Sequence, residues 1–486
     1  MIVTCRQMQE CEEAAFARGI SAAALMEEAG KGIARVVRQF FPQPGSLVLY
    51  LGKGNNAGDA LVAAHELLPL GWKVFGRLVC EPQEMKELPR GHFGPWITRI
   101  DDARHLEFAE RPLVLLDGLL GIGFTGEMKP ELAALAVEMN ELRQRQKARI
   151  VAMDLPSGLG AKNAVEADIT ACVAQIKDVL LEDGAERNVG RIALVPLHEL
   201  SDAKGDTEAA VITPELIRSF LPHRHNDWHK GDAGRVLILA GSRGFLGAAE
   251  LACRGALRAG AGLTTLLVKE DVYDLLAARM PPEVMVKCVD DYREALELKA
   301  DALAVGPGLG FEHEDEILDV LREAKQPCIV DADAITMLSR NLDVMDAMNG
   351  RPRLLTPHPG EMQRILDGFP GWHGMDRRTL AERFVKNVPK RTLLLKGART
   401  VIATAGETTL FNTTGHPGMA SGGMGDVLTG VCTAFAAQHV LLHHAAALGA
   451  WLCGRAAELA GFHPICASDV AAHLGLAMAD AANESF

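Results

Sequence analysis

NTTGHPGMASGGMGDVLTG, from Asn412 to Gly430, sets glycines, hydroxyls and a single carboxylate directly ahead of an apolar run. Gly415, Gly418, Gly422, Gly423 and Gly425 carry no side chain to pack and cost backbone entropy to order, so they suit a loop that approaches a ligand closely. From Asp426 onward, Val427, Leu428, Val431, Cys432 and Phe435 recur at helical spacing. The amides of Gly423 to Asp426 are therefore predicted to crown a helix N-terminus, a place that binds phosphate. A carboxylate there, Asp426, reads as a general base aimed at a hydroxyl beside the phosphate. The competing reading is a simple N-cap, a position that aspartate favours.

The preceding residues supply the sheet that such a loop needs. Arg235 to Leu239 reads as a strand, followed by the loop Gly241 to Ala248 and a helix over Ala249 to Ala259. Later strand ends carry Gly306-Pro307-Gly308-Leu309-Gly310, Asp331-Ala332-Asp333-Ala334, Thr356-Pro357-His358-Pro359-Gly360-Glu361 and Lys396-Gly397-Ala398-Arg399-Thr400. The alternation predicts a parallel-rich sheet with helices on both faces and one site along its carboxyl edge. Lys396 reads as a phosphate contact. His358, held between two prolines, reads as a hydrogen-bonding or proton-transfer group, or else as a rigid turn.

The first half repeats this logic. Two helices, with Ser21 as the cap between them, precede a buried strand at Leu47 to Leu51, the loop Gly52 to Ala60 and a helix through Leu61 to Leu70. Strand, glycine loop and helix form phosphate-binding geometry, but no Gly-Lys is followed by Ser or Thr, so this is not a Walker loop. Asn55, Asn56 and Asp59 offer more hydrogen-bonding side chains than a turn requires. Strands over Leu113 to Leu116 and Ile150 to Met153 end at Asp117 and at Asp154 with Ser157, so three strand ends converge on one crevice. Gly121-Ile122-Gly123-Phe124-Thr125-Gly126-Glu127 contains a dinucleotide-type glycine spacing. It follows a later strand, and no strand ends in an acid about twenty residues on, which sets hydride transfer aside.

A chain of 486 residues exceeds one ordinary core, and the polar stretch from Glu199 to Pro214 is the predicted domain boundary. A net charge of −13 without a Lys/Arg block argues against nucleic acid or a membrane surface as partner. Ten scattered cysteines, with no Cys-x-x-Cys pair, indicate a reducing cytoplasm. Histidines interrupt the apolar tract Val427 to Trp451, which reads as buried helices rather than a membrane span. His443 and His444, like His223, His225 and His229, lack neighbouring ligands at metal-site spacing and read as surface or capping residues.

Taken together, NNAGDA at 55–60, DLPSG at 154–158, GPGLG at 306–310, TPHPGE at 356–361 and TGHPGMASGGMGDVLTG at 414–430 resemble the bifunctional NAD(P)H-hydrate repair enzymes. The resemblance spans nearly the whole chain and implies an α/β protein of two domains. Residues 1–205 would be a Rossmann-like parallel-sheet sandwich, the NAD(P)H-hydrate epimerase. Residues 206–486 would be a ribokinase-like α/β domain, the ADP-dependent NAD(P)H-hydrate dehydratase. By resemblance Asn55, Asn56, Ala57, Gly58, Asp59, the loop Gly121 to Glu127 and Asp154 hold the hydrated nucleotide. Asn56, Asp117 and Ser157 surround a potassium ion, and Asp154 is the acid/base group. Ala248, Gly310, His358 and Asp426 face the hydrate in the second domain, while Lys396, Gly397, Ala398, Arg399, Thr400 and Gly425 face ADP. ADP or ATP is the implied phosphoryl donor, with Mg2+ accompanying it, and a cytoplasmic homo-oligomer is expected. Family loops commonly read Asn-Asn-x-Gly-Asp-Gly, whereas this chain has Ala60 in the last place. Two other readings stand at this stage: a ribokinase-like kinase for a vitamin or sugar alcohol, and a first domain that only senses nucleotide.

Overall fold

The computed structural model describes residues 2–200 and 205–483, in two compact units, Met1–Thr207 and Glu208–Phe486. Residues 201–204, inside the expected linker, lie outside the described residues. The rest of that linker is more ordered than its composition suggests. Ala209–Val211 is a strand that pairs in parallel with Thr409–Asn412, and Thr213 caps the helix Pro214–Phe220.

The first unit is built on a seven-stranded sheet in the order Thr98–Arg99, Lys73–Leu78, Ser46–Leu51, Leu113–Gly118, Arg149–Met153, Ile169–Val173, Arg191–Val195. Every pairing is parallel. All six residues of Ser46–Leu51 are buried, the mark of a strand covered on both faces. The helix Pro130–Gln146 seals one of them, Leu135, Met139 and Leu142 clustering with Val48, Tyr50 and Leu115. The chain leaves Ser46–Leu51 toward one side of the sheet and returns on the other at Leu113–Gly118. That reversal is the switch point at which open α/β sheets bind ligands.

One expectation is corrected here. The stretch Asn55 to Asp59 is not loop but the first turn of the helix Asn55–Leu67. Tertiary packing outweighs the weak helix propensity of Asn and Gly. A Cβ on Gly58 would fall 2.3 Å from the Met26 sulfur, so glycine there admits the neighbouring helix Ala22–Phe40. Ala60, the departure from the family pattern, is helical and fully buried. Ala60→Gly is therefore expected to cost about 1 kcal/mol in stability, measured as a lower urea midpoint for this unit.

The second unit carries a ten-stranded sheet ordered Ala209–Val211, Thr409–Asn412, Thr400–Thr404, Arg391–Leu395, Arg353–Leu355, Cys328–Val330, Ala302–Val305, Arg235–Leu239, Leu263–Val268, Val284–Cys288. Its centre is parallel, but Arg391–Leu395, Thr400–Thr404 and Thr409–Asn412 run antiparallel. Residues 396–399 are thus a hairpin turn rather than the start of a crossover. Here the switch point falls between Arg235–Leu239 and Ala302–Val305, whose following loops are 240–245 and 306–313. The helix beginning at Met424 is drawn against the helix Leu246–Arg258 by two glycines. A Cβ on Gly430 would sit 2.0 Å from the Ala252 carbonyl, and one on Gly255 2.4 Å from that of Val427. The orientation of Asp426 is set by this crossing. No helix among the described residues is long and apolar enough to cross a membrane.

Candidate functional sites

In the first unit a cavity of about 980 Å³ opens over the carboxyl ends of the sheet. It is lined by Asn55, Asn56, Asp59, Gly121, Ile122, Gly123, Phe124, Thr125, Glu127 and Asp154, so segments after all three strands border it, while Asp117 and Ser157 themselves are buried off its wall. Ala57, Gly58 and Gly126 are not on its wall. Ala57 and Gly58 are buried in the helix, which turns them toward packing, and Gly126 serves the turn through its φ of +84°. The cavity also takes in groups the sequence did not single out, above all Glu12 and Lys177. Lys177 is buried, donates to Asp154 and to the Val173 carbonyl (2.6 Å), and forms an ion pair with the same aspartate. Burial alone would lower its ammonium, but Asp154 and Cys172 outweigh this and hold it above its ordinary value. Asp154 has φ +65°, a conformation uncommon for aspartate. It accepts a second bond from the Val173 amide at 3.1 Å.

Behind this wall, Asp117 and Ser157 meet the cavity-lining Asn56. The Ser157 hydroxyl and amide donate to the two Asp117 oxygens at 2.6 and 2.7 Å, and the Asn56 amide donates to the Leu120 carbonyl at 2.7 Å. Burial pushes Asp117 up to about 6, against the bonds from Ser157. No basic side chain among the described residues pairs with it. A buried carboxylate among amide, hydroxyl and carbonyl oxygens, with no counter-charge, is a donor set that fits a hard cation such as potassium.

In the second unit the polar centre is Asp331. Nearly inaccessible to solvent, it accepts from the hydroxyls of Thr356 and Thr429 and from Lys396, each at 2.8 Å. Lys396 also lies 3.8 Å from Glu361, and a Cβ on Gly425 would stand 3.1 Å from its nitrogen. Lys396 is therefore held in a carboxylate cluster at the start of the helix Met424–Ala437, rather than free to follow a ligand. Gly423, with φ +88°, precedes that helix, so the amides of Met424, Gly425 and Asp426 start it without intrahelical partners. Asp426 is pushed up to about 7 by burial first and then by Asp331, with Lys396 opposing and Asp333 and Glu361 adding to the rise.

His358 lines a cavity of about 430 Å³ together with Phe311, Asp333, Arg340, Glu361 and Arg364. Its ring caps the helix Pro359–Leu366, Nδ1 accepting from the Gly360 and Glu361 amides at 3.0 and 3.4 Å. The rigid-turn reading thus describes how the ring is held. Gly310 and Ala248 are not on that wall. Gly310 donates its amide to Asp333 at 2.9 Å, and Ala248 packs on the same loop, its Cβ 3.0 Å from where one on Gly308 would fall. In the hairpin turn Gly397 and Ala398 are exposed, whereas Arg399 and Thr400 are buried, so the last two can offer a nucleotide little of their side chains. Asp331 stood in the sequence as a strand-end acid. Its partners Thr356 and Thr429, so distant in sequence, gave no signal.

One expectation about the histidines is corrected. His443 is buried, not at the surface, and bonds to the Thr404 hydroxyl at 3.1 Å, with burial lowering its pKa to about 4. Among the described residues no group of three or more His, Cys, Asp or Glu side chains could hold a metal ion.

Two α/β units, each with polar groups gathered at the carboxyl ends of a largely parallel sheet, define a two-domain protein of the nucleotide-binding class. Residues 22–179 match a family described as YjeF-related protein N-terminus, and residues 236–475 match NAD(P)H-hydrate dehydratase. The bifunctional NAD(P)H-hydrate repair enzyme of Moorella thermoacetica is 34% identical, across 94% of this chain and 92% of its own length. That of Escherichia coli is 33% identical, across 92% and 87%. A solved structure of a hypothetical protein from Streptococcus mutans is 26% identical, covers 56% of this chain and all of its own, and superposes with a TM-score of 0.50. The chain belongs to the bifunctional NAD(P)H-hydrate repair enzymes, both of its units α/β with a largely parallel sheet.

Proposed function

We propose that the chain restores hydrated NADH and NADPH in two steps: the first unit interconverts the R and S hydrates, and the second dehydrates the S hydrate at the expense of ADP or ATP. The observation that carries this is Asp426, a carboxylate whose pKa is pushed up to about 7 and which stands at an amide-lined helix N-terminus. A base poised near neutrality can take the proton from a hydroxyl. The adjoining amides can stabilise charge on a phosphoryl group as it transfers. Hydroxide is a poor leaving group, and phosphorylation of the hydrate oxygen makes elimination feasible. Lys396, fixed by Asp331, adds a positive charge beside the same helix end. Gly397, Ala398 and Gly425 offer backbone to the nucleotide. Mg2+, bound with the donor, would supply charge to its phosphates, with Asp333 and Glu361 as the carboxylates to hold it.

In the first unit, Asp154 accepts and returns the proton that epimerisation moves. The hydrated carbon can invert by ring opening and reclosure, which needs proton transfers alone. Asn56, Asp117 and Ser157 would hold potassium, a fixed charge near the phosphates of the nucleotide.

The test supplies purified chain with an R/S mixture of hydrated NADH and ADP, and follows reduced nicotinamide. Recovery of both epimers is expected. Phosphorylation of a vitamin or sugar alcohol without turnover of hydrated NADH would overturn the proposal.

A further inference from the structure

The cavity of the first unit gathers more acid than one proton transfer needs. Asp59, Glu127, Glu131 and Asp154 line it beside Glu12, with Lys53, Lys86, Lys129 and Lys177 on the same wall. Asp154 already has two partners in Lys177 and the Val173 amide. Glu12 rises from the N-terminal helix Cys5–Ala17, and its carboxylate has neither a hydrogen bond nor an ion pair with any described residue. It nevertheless lies close enough to Asp154 and Lys177 for both to act on its charge.

We infer that Glu12 is a second catalytic residue of epimerisation, the acid that protonates the ring nitrogen while Asp154 takes the hydroxyl proton. This rests on the epimerase reading above. Ring opening breaks the bond between the hydrated carbon and the ring nitrogen. Its electron pair goes to nitrogen, which gains the Glu12 proton, and an oxygen lone pair forms the carbonyl as the hydroxyl proton passes to Asp154. Rotation presents the other carbonyl face, nitrogen attacks, and each proton returns to the group that gave it. Neither electrons nor atoms are lost, and no co-reactant is consumed.

The two carboxylates are suited to opposite roles by their surroundings. Asp154 is held by the Lys177 ammonium and the Val173 amide, whereas the Glu12 carboxylate has no such partner. Glu12 is raised by burial and then by the Asp154 charge, with Lys177 opposing, so it retains a proton more readily than an ordinary glutamate. A carboxyl group that keeps its proton can serve as the acid beside a paired carboxylate. Asp59 is the rival acid: it too is raised, by burial and then by Asp154 and Glu12. It sits on the helix Asn55–Leu67, which also carries Asn56.

The experiment gives the full chain pure R hydrate without nucleotide, so that dehydration is silent, and follows the S epimer by chromatography. Glu12→Gln is expected to lower kcat by about 100-fold with KM little changed, to flatten the alkaline limb of the pH profile, and to leave S-hydrate dehydration intact. Acetate is expected to restore part of the rate in Glu12→Ala. Wild-type kcat in Glu12→Gln would overturn the assignment. So would a loss of rate with the pH profile unchanged and no acetate rescue, or a larger loss in Asp59→Asn that acetate rescues in Asp59→Ala. Thermal unfolding checks that each variant folds; if Glu12→Gln does not, Glu12→Asp takes its place, and retained rate with a displaced alkaline limb is the supporting result. A wild type that leaves R hydrate unchanged would instead refute the epimerase reading itself.

Discussion

Asp426→Asn should abolish recovery of NADH from S hydrate, lowering kcat by about 1,000-fold or more while epimerisation continues in the same tube. General-base removal typically costs about 10²–10⁴-fold. The upper half of that range is expected because the base and the amides of its own helix act on the same phosphoryl transfer. In the wild type, dehydration should rise as pH passes about 7, where Asp426 loses its proton. Stability moves the other way. The folded carboxyl titrates near 7 and the ordinary one near 3.8, so between these values the folded chain holds a proton that the unfolded chain has lost. Stability therefore falls as pH rises through this window, and the whole penalty is present above about 7. Removing it should make Asp426→Asn more stable by on the order of 1–2 kcal/mol at pH 8, with partial exposure already discounted, and indistinguishable at pH 3.5. Calorimetry at the two pH values measures this. Full recovery of NADH by the variant would overturn the assignment of the base.

What could be read from the sequence follows a physical line. Strand ends were legible because a run such as Leu113 to Leu116 is apolar on both faces and then stops at an acid and a glycine. The helix N-terminus at Gly423 was legible because its glycines precede a 3.6-residue apolar period. The start of the helix at Asn55 was not, since Asn-Asn and Gly read as loop. What makes it helical is contact with Met26 and Pro89, on other segments. Lys177 and Glu12 were invisible for the same reason. Glu12 sits among Glu10 and Glu13 on an ordinary amphipathic helix, and nothing local tells which acid turns inward. Lys396 was singled out as a phosphate contact, but its partners Asp331 and Glu361 are separated from it by whole strands, so its fixed position could not be foreseen. His443 looked like a surface residue because polar neighbours interrupt its helix, yet Thr404 on a distant strand satisfies it inside. The same boundary runs through both sites: motif residues were found, and the groups that hold or tune them were found only by folding.

Asp154→Asn should divide the two halves of the pathway. Given an R/S mixture and ADP, the variant is expected to consume the S hydrate at the wild-type rate and then stall, the remaining R hydrate draining only as fast as it epimerises spontaneously. The same substitution removes the counter-charge of Lys177, whose side chain is 1% exposed. Leaving a buried charge uncompensated costs about 3–5 kcal/mol, so loss of stability would mimic loss of chemistry. Asp154→Asn with Lys177→Met separates them, since a matched apolar group in place of the ammonium removes the unpaired charge. If Asp154 is the base, the double variant regains most of the thermal stability and none of the epimerase activity. Should activity return along with stability, Asp154 would be reduced to a partner that keeps Lys177 in place, and the proton transfer would have to be assigned to another carboxylate of the cavity.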